Sequence, residues 1–448
     1  MNILLLIPGI ISFVFAVRRR IVTAFFSVYL PSLLLLPQEY SLRIPHCPPF
    51  TAAQFALIPI GIVALRQLIR SRSFRLMDAL VVMFVASIST TEILREPIVT
   101  NGIFAGIDSF VSILLAYVAG RRLIEPDLRL EAVRRIVILF LVTSPIGVWE
   151  WRMEQNLYTE FGQKYLGVVY GAAGFRNAYE RLGGSFNSPE IEGIALGMTY
   201  ALNAWLVFMN KGHKRAKLGG LLSKLEKFHV PGLLLILLIW FTGSRGPLIS
   251  LAAGIVILQI SRVKYPKVAT VVVLVLLFVG FQEVEQYFAR LTNVSRFSQM
   301  NAQLSSARYR RIMNEAYAPI AEQGGWLGWG GAGVPEVKGM KSIDNEFLRV
   351  HLVQGELGYI LFLLICAESI RTAIAQFWRF RGLEDRVFAC SMLAVFTILW
   401  ITLYTVFMGA QLPQFAFLLI GWGQSIAPGR KLTSRVAAPE AQPEFVIR

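Results

Sequence analysis

Arg245 stands in a short turn, FTGSRGP (241–247), between two apolar runs at 231–240 and 248–260. So tight a turn between membrane segments leaves its arginine at the edge of the hydrocarbon layer. An ionisable group there is costly and marks a candidate functional residue. Arg181, in RLGGSFNSP (181–189), and Arg308, at the head of a charged segment, stand near expected helix ends on the same side. Arginine suits phosphate because its planar fork makes permanently charged, bidentate hydrogen bonds. Three such groups would hold a pyrophosphate and stabilise it as a leaving group. The bland alternative is that each snorkels to lipid headgroups or pairs with a nearby glutamate.

A second constellation is SIDNEFLRVHLVQGELG (342–358). Read as a helix, it places Asp344, Leu348, His351 and Gly355 on one face, and Gly355 and Gly358 would admit a second helix at close range. A carboxylate beside clustered arginines can take the proton of a sugar hydroxyl, so Asp344 is the candidate general base. It could equally be the N-cap of the helix that follows. His351, one to two turns deeper, is a second catalytic candidate or simply a buried structural histidine. Ser244 and Asn345, neighbours of Arg245 and Asp344, complete the candidate substrate-binding set with Arg181, Arg245 and Arg308. Of the other carboxylates, Glu190, Glu192, Glu92 and Glu96 are open to acceptor binding, with local ion pairing around Arg95 the plainer reading.

Metal chemistry finds little support. The chain has five aspartates and no D-x-D pair, and its four histidines, His46, His213, His229 and His351, are dispersed. Cys47, Cys366 and Cys390 form neither a disulfide framework nor a metal-ligand spacing. No cofactor is expected.

These residues must be positioned by membrane helices. The chain has 448 residues, 55% hydrophobic and 16% charged, with a mean hydropathy of +0.56. Apolar runs fall near 2–17, 21–37, 51–65, 76–93, 103–120, 135–151, 188–209, 230–242, 247–260, 268–282, 346–369, 387–407 and 411–424. Some are shorter than the roughly 20 residues a straight span prefers. The expected fold is all-α, a polytopic transmembrane bundle of 12–13 spans. Most of the 44 lysines and arginines fall in alternate loops: 18–20, 66–75, 121–135, 211–227, 262–267, 371–386 and the tail. The opposite short loops, around Arg43, Arg95 and Arg245, hold one each. Positive short loops stay in the cytoplasm, so the C-terminus is expected inside and the candidate residues outside. The net charge of +16 then records topology rather than nucleic-acid binding. The first apolar run precedes its RRR, the reverse of a cleaved signal peptide.

Two outer segments are long, 152–187 and 283–345. The second is large enough for a small cap. Residues 307–320 show helical spacing of apolar residues beside charges. The loop GGWLGWGGAG (324–333) would lie on the interface, close over a ligand, or merely connect. The tail at 429–448 has a disordered composition. No internal repeat is evident.

RLGGSFNSP, then TGSRG heading a span, then a large outer loop with Arg308, a Gly-rich stretch and DNEFL leading into GELGY together resemble the bacterial O-antigen ligase and Wzy-type polymerase superfamily, membrane glycosyltransferases of the GT-C class. The pattern covers about 180–360. The resemblance implies a glycosyltransferase domain over 1–428, with the outer loop at 283–345 periplasmic, in the bacterial inner membrane. It implies a donor glycan on undecaprenyl pyrophosphate. The acceptor would be a sugar hydroxyl of another lipid-linked glycan (polymerase) or of lipid A core (ligase), without metal or nucleotide. A chain-length regulator is a further expected partner. The ligases carry His-Asn where this chain has Asp344-Asn345. An aspartate there is more familiar in capsule and exopolysaccharide polymerases. The expectation is therefore an inverting polymerase, with a ligase as the alternative. A lipid-linked oligosaccharide flippase is less consistent, because a transporter places ionisable groups at mid-membrane.

Overall fold

The computed structural model describes residues 2–42, 47–168, 175–176, 179–212, 229–293, 302–340 and 342–425. Arg43, His46, His213, most of the basic loop at 211–227 and the tail at 429–448 lie outside them. Every apolar run becomes a helix. In chain order these are α1 (Ile7–Val17), α2 (Ile21–Leu35), α3 (Ala52–Ser71), α4 (Leu76–Arg95), α5 (Val99–Leu123), α6 (Pro126–Met153), α7 (Pro189–Gly212), α8 (Val230–Phe241), α9 (Arg245–Ile260) and α10 (Pro266–Asn293). After α11 (Ala302–Gln323) come α12 (Glu346–Arg379), α13 (Leu383–Leu403) and α14 (Leu412–Ser425). Among the described residues, seven helices are long and apolar enough to cross a membrane, α3 to α7, α12 and α13. α1, α2, α8, α9 and α14 are shorter, which suits pieces of a bundle whose neighbours satisfy their ends. Among the described residues, the departures from all-α structure are two-residue antiparallel pairings, Ser41–Leu42 with Phe50–Thr51 and Phe175–Arg176 with Tyr179–Glu180.

One continuous core runs through the bundle. α13 is its axis, with buried side chains on every face from Val387 to Leu403. Such an all-round apolar helix needs neighbours on all sides, and α7, α9 and α12 supply them. The tightest crossing is α5 on α14, where a Cβ on Gly120 or Gly421 would meet the backbone of the opposite helix. Small residues drive such approaches when water no longer distinguishes apolar surfaces.

The outer segment builds a cap with its own small core. Met313, Tyr317 and Ala321 of α11 pack on Leu352 of α12, flanked by Trp329, Val334, Val337 and Ile343. α11 thus occupies the expected amphipathic stretch and extends it at both ends.

α12 departs from the expectation. It is broken at Gly355, which has φ 66° and ψ −166°, a region that a Cβ disfavours. The one-face register joining Asp344 to Gly355 therefore does not hold: the helix starts at Glu346, after Asp344, and the break interrupts it at Gly355. Nor does Gly355 receive another helix. It meets the backbone of the Gly-rich loop at Gly325, Trp326 and Gly328, and the glycine at 358 faces Gln354. Four backbone bonds stitch the loop across the break. Trp329 and Gly330 donate to the carbonyls of Leu352 and Val353, each at 2.9 Å. Glu356 and Leu357 donate to Gly325 at 3.0 Å and Trp326 at 3.2 Å. The groups freed by breaking the helix are thereby satisfied. The loop is a docked element rather than a free connector. Its far side is tied to α4, where the Glu92 carboxylate accepts the Gly331 N–H at 3.0 and 3.2 Å. That partner replaces the ion pairing with Arg95 expected for Glu92.

Candidate active site

The TGSRG turn is ordered by its own hydroxyls. Thr242 ends α8 with its hydroxyl donating to Ile239 O at 2.7 Å, and its Oγ1 accepts the Ser244 N–H at 3.2 Å. Gly243 takes φ 57°, and Ser244 is the extended N-cap residue of α9. Arg245 is the first residue of that helix, half-buried, at the end where unpaired N–H groups and the helix dipole favour an anion.

Arg181 is clamped onto this turn. Its Nε donates to Thr242 O at 3.0 Å. Its Nη2 donates to Ser244 Oγ at 2.7 Å and to Glu190 Oε1 at 2.5 Å. The Leu182 N–H adds a bond to Phe241 O at 3.2 Å. Ser244 is 2% exposed and Thr242 0%, so the Ser244 hydroxyl is a buried acceptor for Arg181 rather than an open ligand group. The loop carrying Arg181 is fixed from beneath by Glu150 of α6. That carboxylate accepts the Gly183 and Gly184 N–H groups at 3.0 and 2.9 Å and the Asn156 amide at 2.7 Å.

The cap contributes Arg310, a residue the sequence reading did not select. It is half-buried, and its Nε is a buried donor with no hydrogen-bond partner. Burial pushes the Arg310 guanidinium below the ordinary arginine range. The charges of Asp344 and Glu190 oppose that shift, and those of Arg181 and Arg245 add to it. Arg310 therefore lies within electrostatic reach of two further arginines and two carboxylates, drawn from four separate chain segments. Arg308, the cap arginine selected from the sequence, is exposed. A sequence signal separates the two. Arg310, Met313, Tyr317 and Ala321 follow helical spacing along the buried stripe of α11, whereas Arg308 shares its face with exposed Ile312 and Glu315.

Asp344 enters the group through the strand of chain before α12. Its carboxylate accepts from the Ser342 hydroxyl at 2.7 Å, and its N–H points to Met313 Sδ at 3.3 Å. Tyr309 of α11 anchors the same strand by accepting the Ser342 N–H and donating to Ser342 O, both at 2.9 Å. The cap of α12 is Asn345, not Asp344. Asn345 Oδ1 accepts the Phe347 and Leu348 N–H groups at 3.0 and 3.3 Å. The Asp344 carboxylate is therefore released from the capping role that was its alternative reading. Asn345 is correspondingly committed, with its Nδ2 contacting Asn314 Oδ1 at 3.4 Å. His351 has a separate setting. Its Nε2 lies 3.1 Å from Glu356 Oε1, and its ring stacks on Tyr359 at 4.8 Å.

The arrangement sets Arg181, Arg245, Glu190 and Asp344 within electrostatic reach of Arg310, with Arg181 paired to Glu190 and Arg245 at a helix N-terminus. Such a combination binds a polyanion and moves a proton next to it. Among the described residues no group of three or more His, Cys, Asp or Glu side chains is placed to hold a metal ion. No curated protein matches the chain. Residues 231–363, running from α8 through the TGSRG turn and the cap into α12, match the family model described as O-antigen ligase, and this supports the resemblance to the O-antigen ligase and Wzy-type superfamily.

Proposed function

We propose that the protein is a polysaccharide polymerase of the bacterial inner membrane. It transfers a glycan from undecaprenyl pyrophosphate to a sugar hydroxyl of another lipid-linked glycan on the periplasmic side. The observation that supports the reading is that Arg310 lies within electrostatic reach of Arg181, Arg245 and Asp344, beside the turn onto which Arg181 is hydrogen-bonded. Arg245 and Arg310 bind the pyrophosphate, with the α9 N-terminus behind them. Arg181, bound to the turn and to Glu190, adds charge and fixes the geometry. The acceptor hydroxyl oxygen attacks the anomeric carbon on the side opposite the pyrophosphate, and the configuration inverts. Asp344 takes the hydroxyl proton. The bond from the anomeric carbon to the pyrophosphate oxygen breaks, and its electron pair leaves on that oxygen. Positive charge aimed at this oxygen is stronger in the transition state than in the ground state, which is the condition for catalysis. His351, paired with Glu356, stays outside the proton path.

A ligase reading, with lipid A core as acceptor, is favoured by the description of the matching family. Asp344 at the position where the resembled ligases carry histidine favours the polymerase. Deleting the gene and resolving surface polysaccharide by gel separates them. The polymerase reading predicts single repeat units on lipid A core. Loss of all glycan from lipid A, with long chains still on the carrier, would overturn it in favour of the ligase.

A further inference from the structure

Trp326 is 69% exposed, on a loop that cannot fold it away. The backbone on both sides of it is pinned to α12: Gly325 and Trp326 accept from Glu356 and Leu357, and Trp329 and Gly330 donate to Leu352 and Val353. Trp329 is turned to the other side. It packs in the small core of the cap, and its indole N–H donates to Ile320 O of α11 at 2.8 Å. One tryptophan thus fastens the loop to the cap, and the other presents a large apolar surface outwards. In water such a surface stays uncovered at a cost. Two helices give the height of the loop. A Cβ on the glycine at 330 would come within 2.6 Å of the Arg95 Cβ, and Arg95 is the last residue of α4. The 20 residues of α4 rise roughly 30 Å, the thickness of a bilayer's hydrocarbon core. Along α12, Trp326 is bonded at Leu357, and exposed Trp378 stands at the opposite end. The rise between the two levels is about 21 residues, roughly 32 Å. The large apolar residues exposed next after Leu357 are Ile360, Leu363 and Leu364. Trp149 and Trp240 are exposed near the cap-side ends of α6 and α8. Tryptophan collects at such levels because its ring is apolar and its N–H polar.

We infer that the Gly-rich loop docks on the lipid surface. Trp326 sits at the boundary between headgroups and acyl chains in the cap-side leaflet, and through Trp329 and α11 it moors the cap to the bilayer. The loop then holds the cap, and Arg310 with it, at a fixed height above the membrane. A sugar ring would also stack on an open indole, but the surface that continues from Trp326 along α12 is apolar, which suits acyl chains. The docking is independent of the glycosyl-transfer chemistry.

Fluorine NMR of the full-length protein, labelled with fluorotryptophan and reconstituted in phosphatidylcholine nanodiscs, tests it. The resonance missing from Trp326→Phe identifies Trp326. Phosphatidylcholine spin-labelled near the headgroup should broaden that resonance beyond detection, and the same lipid labelled at the end of its acyl chain should leave it visible. A resonance that survives the headgroup-proximal label would overturn the docking; its loss to a water-soluble gadolinium chelate would then place the indole in water, open to a glycan. Equal broadening by the two labelled lipids would also overturn it, because the indole would lie among the chains and not at their boundary. The mooring is read by amide hydrogen exchange in the same nanodiscs. Trp326→Ser should speed exchange along α11 severalfold, and Trp326→Phe, which keeps an apolar ring, should not. Wild-type exchange in Trp326→Ser, or equal acceleration in the two variants, would overturn the mooring.

Discussion

Replacing Arg310 by methionine should lower transfer activity without lowering stability. Methionine reproduces the apolar stem as far as the position of Nε, so packing along α11 persists while the guanidinium is removed. What is lost is a half-buried guanidinium within electrostatic reach of Arg181 and Arg245. If that guanidinium binds the pyrophosphate, its removal forfeits a hydrogen bond to a charged group, worth about 1.5–3 kcal/mol. That corresponds to roughly a 10- to 150-fold loss in rate. Stability should move the other way. Burial depresses Arg310 below the ordinary arginine range in the folded protein, and Arg181 and Arg245 depress it further. A base so depressed is less comfortable charged when folded than when unfolded. Its charge therefore costs stability at neutral pH, where both states keep the proton. Arg310→Met should leave the melting midpoint in detergent unchanged or raised. The readouts are the rate of glycan extension by purified protein on lipid-linked repeat units and a thermal melt of the same sample. Arg308→Met, on the exposed face, is the matched control. Full activity in Arg310→Met, or equal losses in the two variants, would refute the reasoning. So would a lowered melting midpoint in Arg310→Met, which would make the residue structural.

Further predictions address the supporting elements. Asn345→Ala removes the side-chain cap of α12 and should cost about 1 kcal/mol of stability, seen as a lower melting midpoint; an unchanged midpoint would show that the cap is idle. Gly355→Ala forces a side chain into a left-handed conformation against the backbone of the Gly-rich loop. It should cost about 1–3 kcal/mol for a backbone region that only glycine adopts freely and expose the loop at 324–333 to proteolysis; wild-type resistance would refute the docking. Glu150→Gln leaves the Gly183 and Gly184 N–H groups with one charged acceptor fewer. Activity should fall with a smaller loss of melting midpoint, and unaltered kinetics would detach Glu150 from the placement of Arg181.

Much of the architecture was legible because hydrocarbon is an exacting solvent. Each apolar run had to become a helix to satisfy its own backbone, and each did. The Arg181 and Arg245 neighbourhoods were legible for a related reason, since a cation pinned between spans needs a cause. The cap was harder. Its side chains answer to both water and a small core, and the decisive clue was one of phase: Arg310 stands in register with Met313 and Tyr317, and Arg308 does not. The choice of Asn345 over Asp344 as cap turns on a one-residue difference in where α12 begins, which composition does not encode. The break at Gly355 was hidden because the sequence around it is helical in pattern. It is the Gly-rich loop, distant in sequence, that supplies the hydrogen bonds a broken helix needs. His351 stood on an apolar face in the sequence and in three dimensions found Glu356 and Tyr359 instead of the arginines.

The central claim is that the arginine cluster holds a lipid pyrophosphate while Asp344 receives the acceptor proton. Its most direct test is a reconstituted transfer reaction: purified protein in liposomes, supplied with undecaprenyl-pyrophosphate-linked repeat units, with extended glycan and released undecaprenyl pyrophosphate both measured. The wild-type protein should release one undecaprenyl pyrophosphate for each glycosidic linkage formed, and Arg245→Ala and Asp344→Asn should form neither product while keeping the wild-type melting midpoint. Transfer at the wild-type rate by either variant would contradict the account.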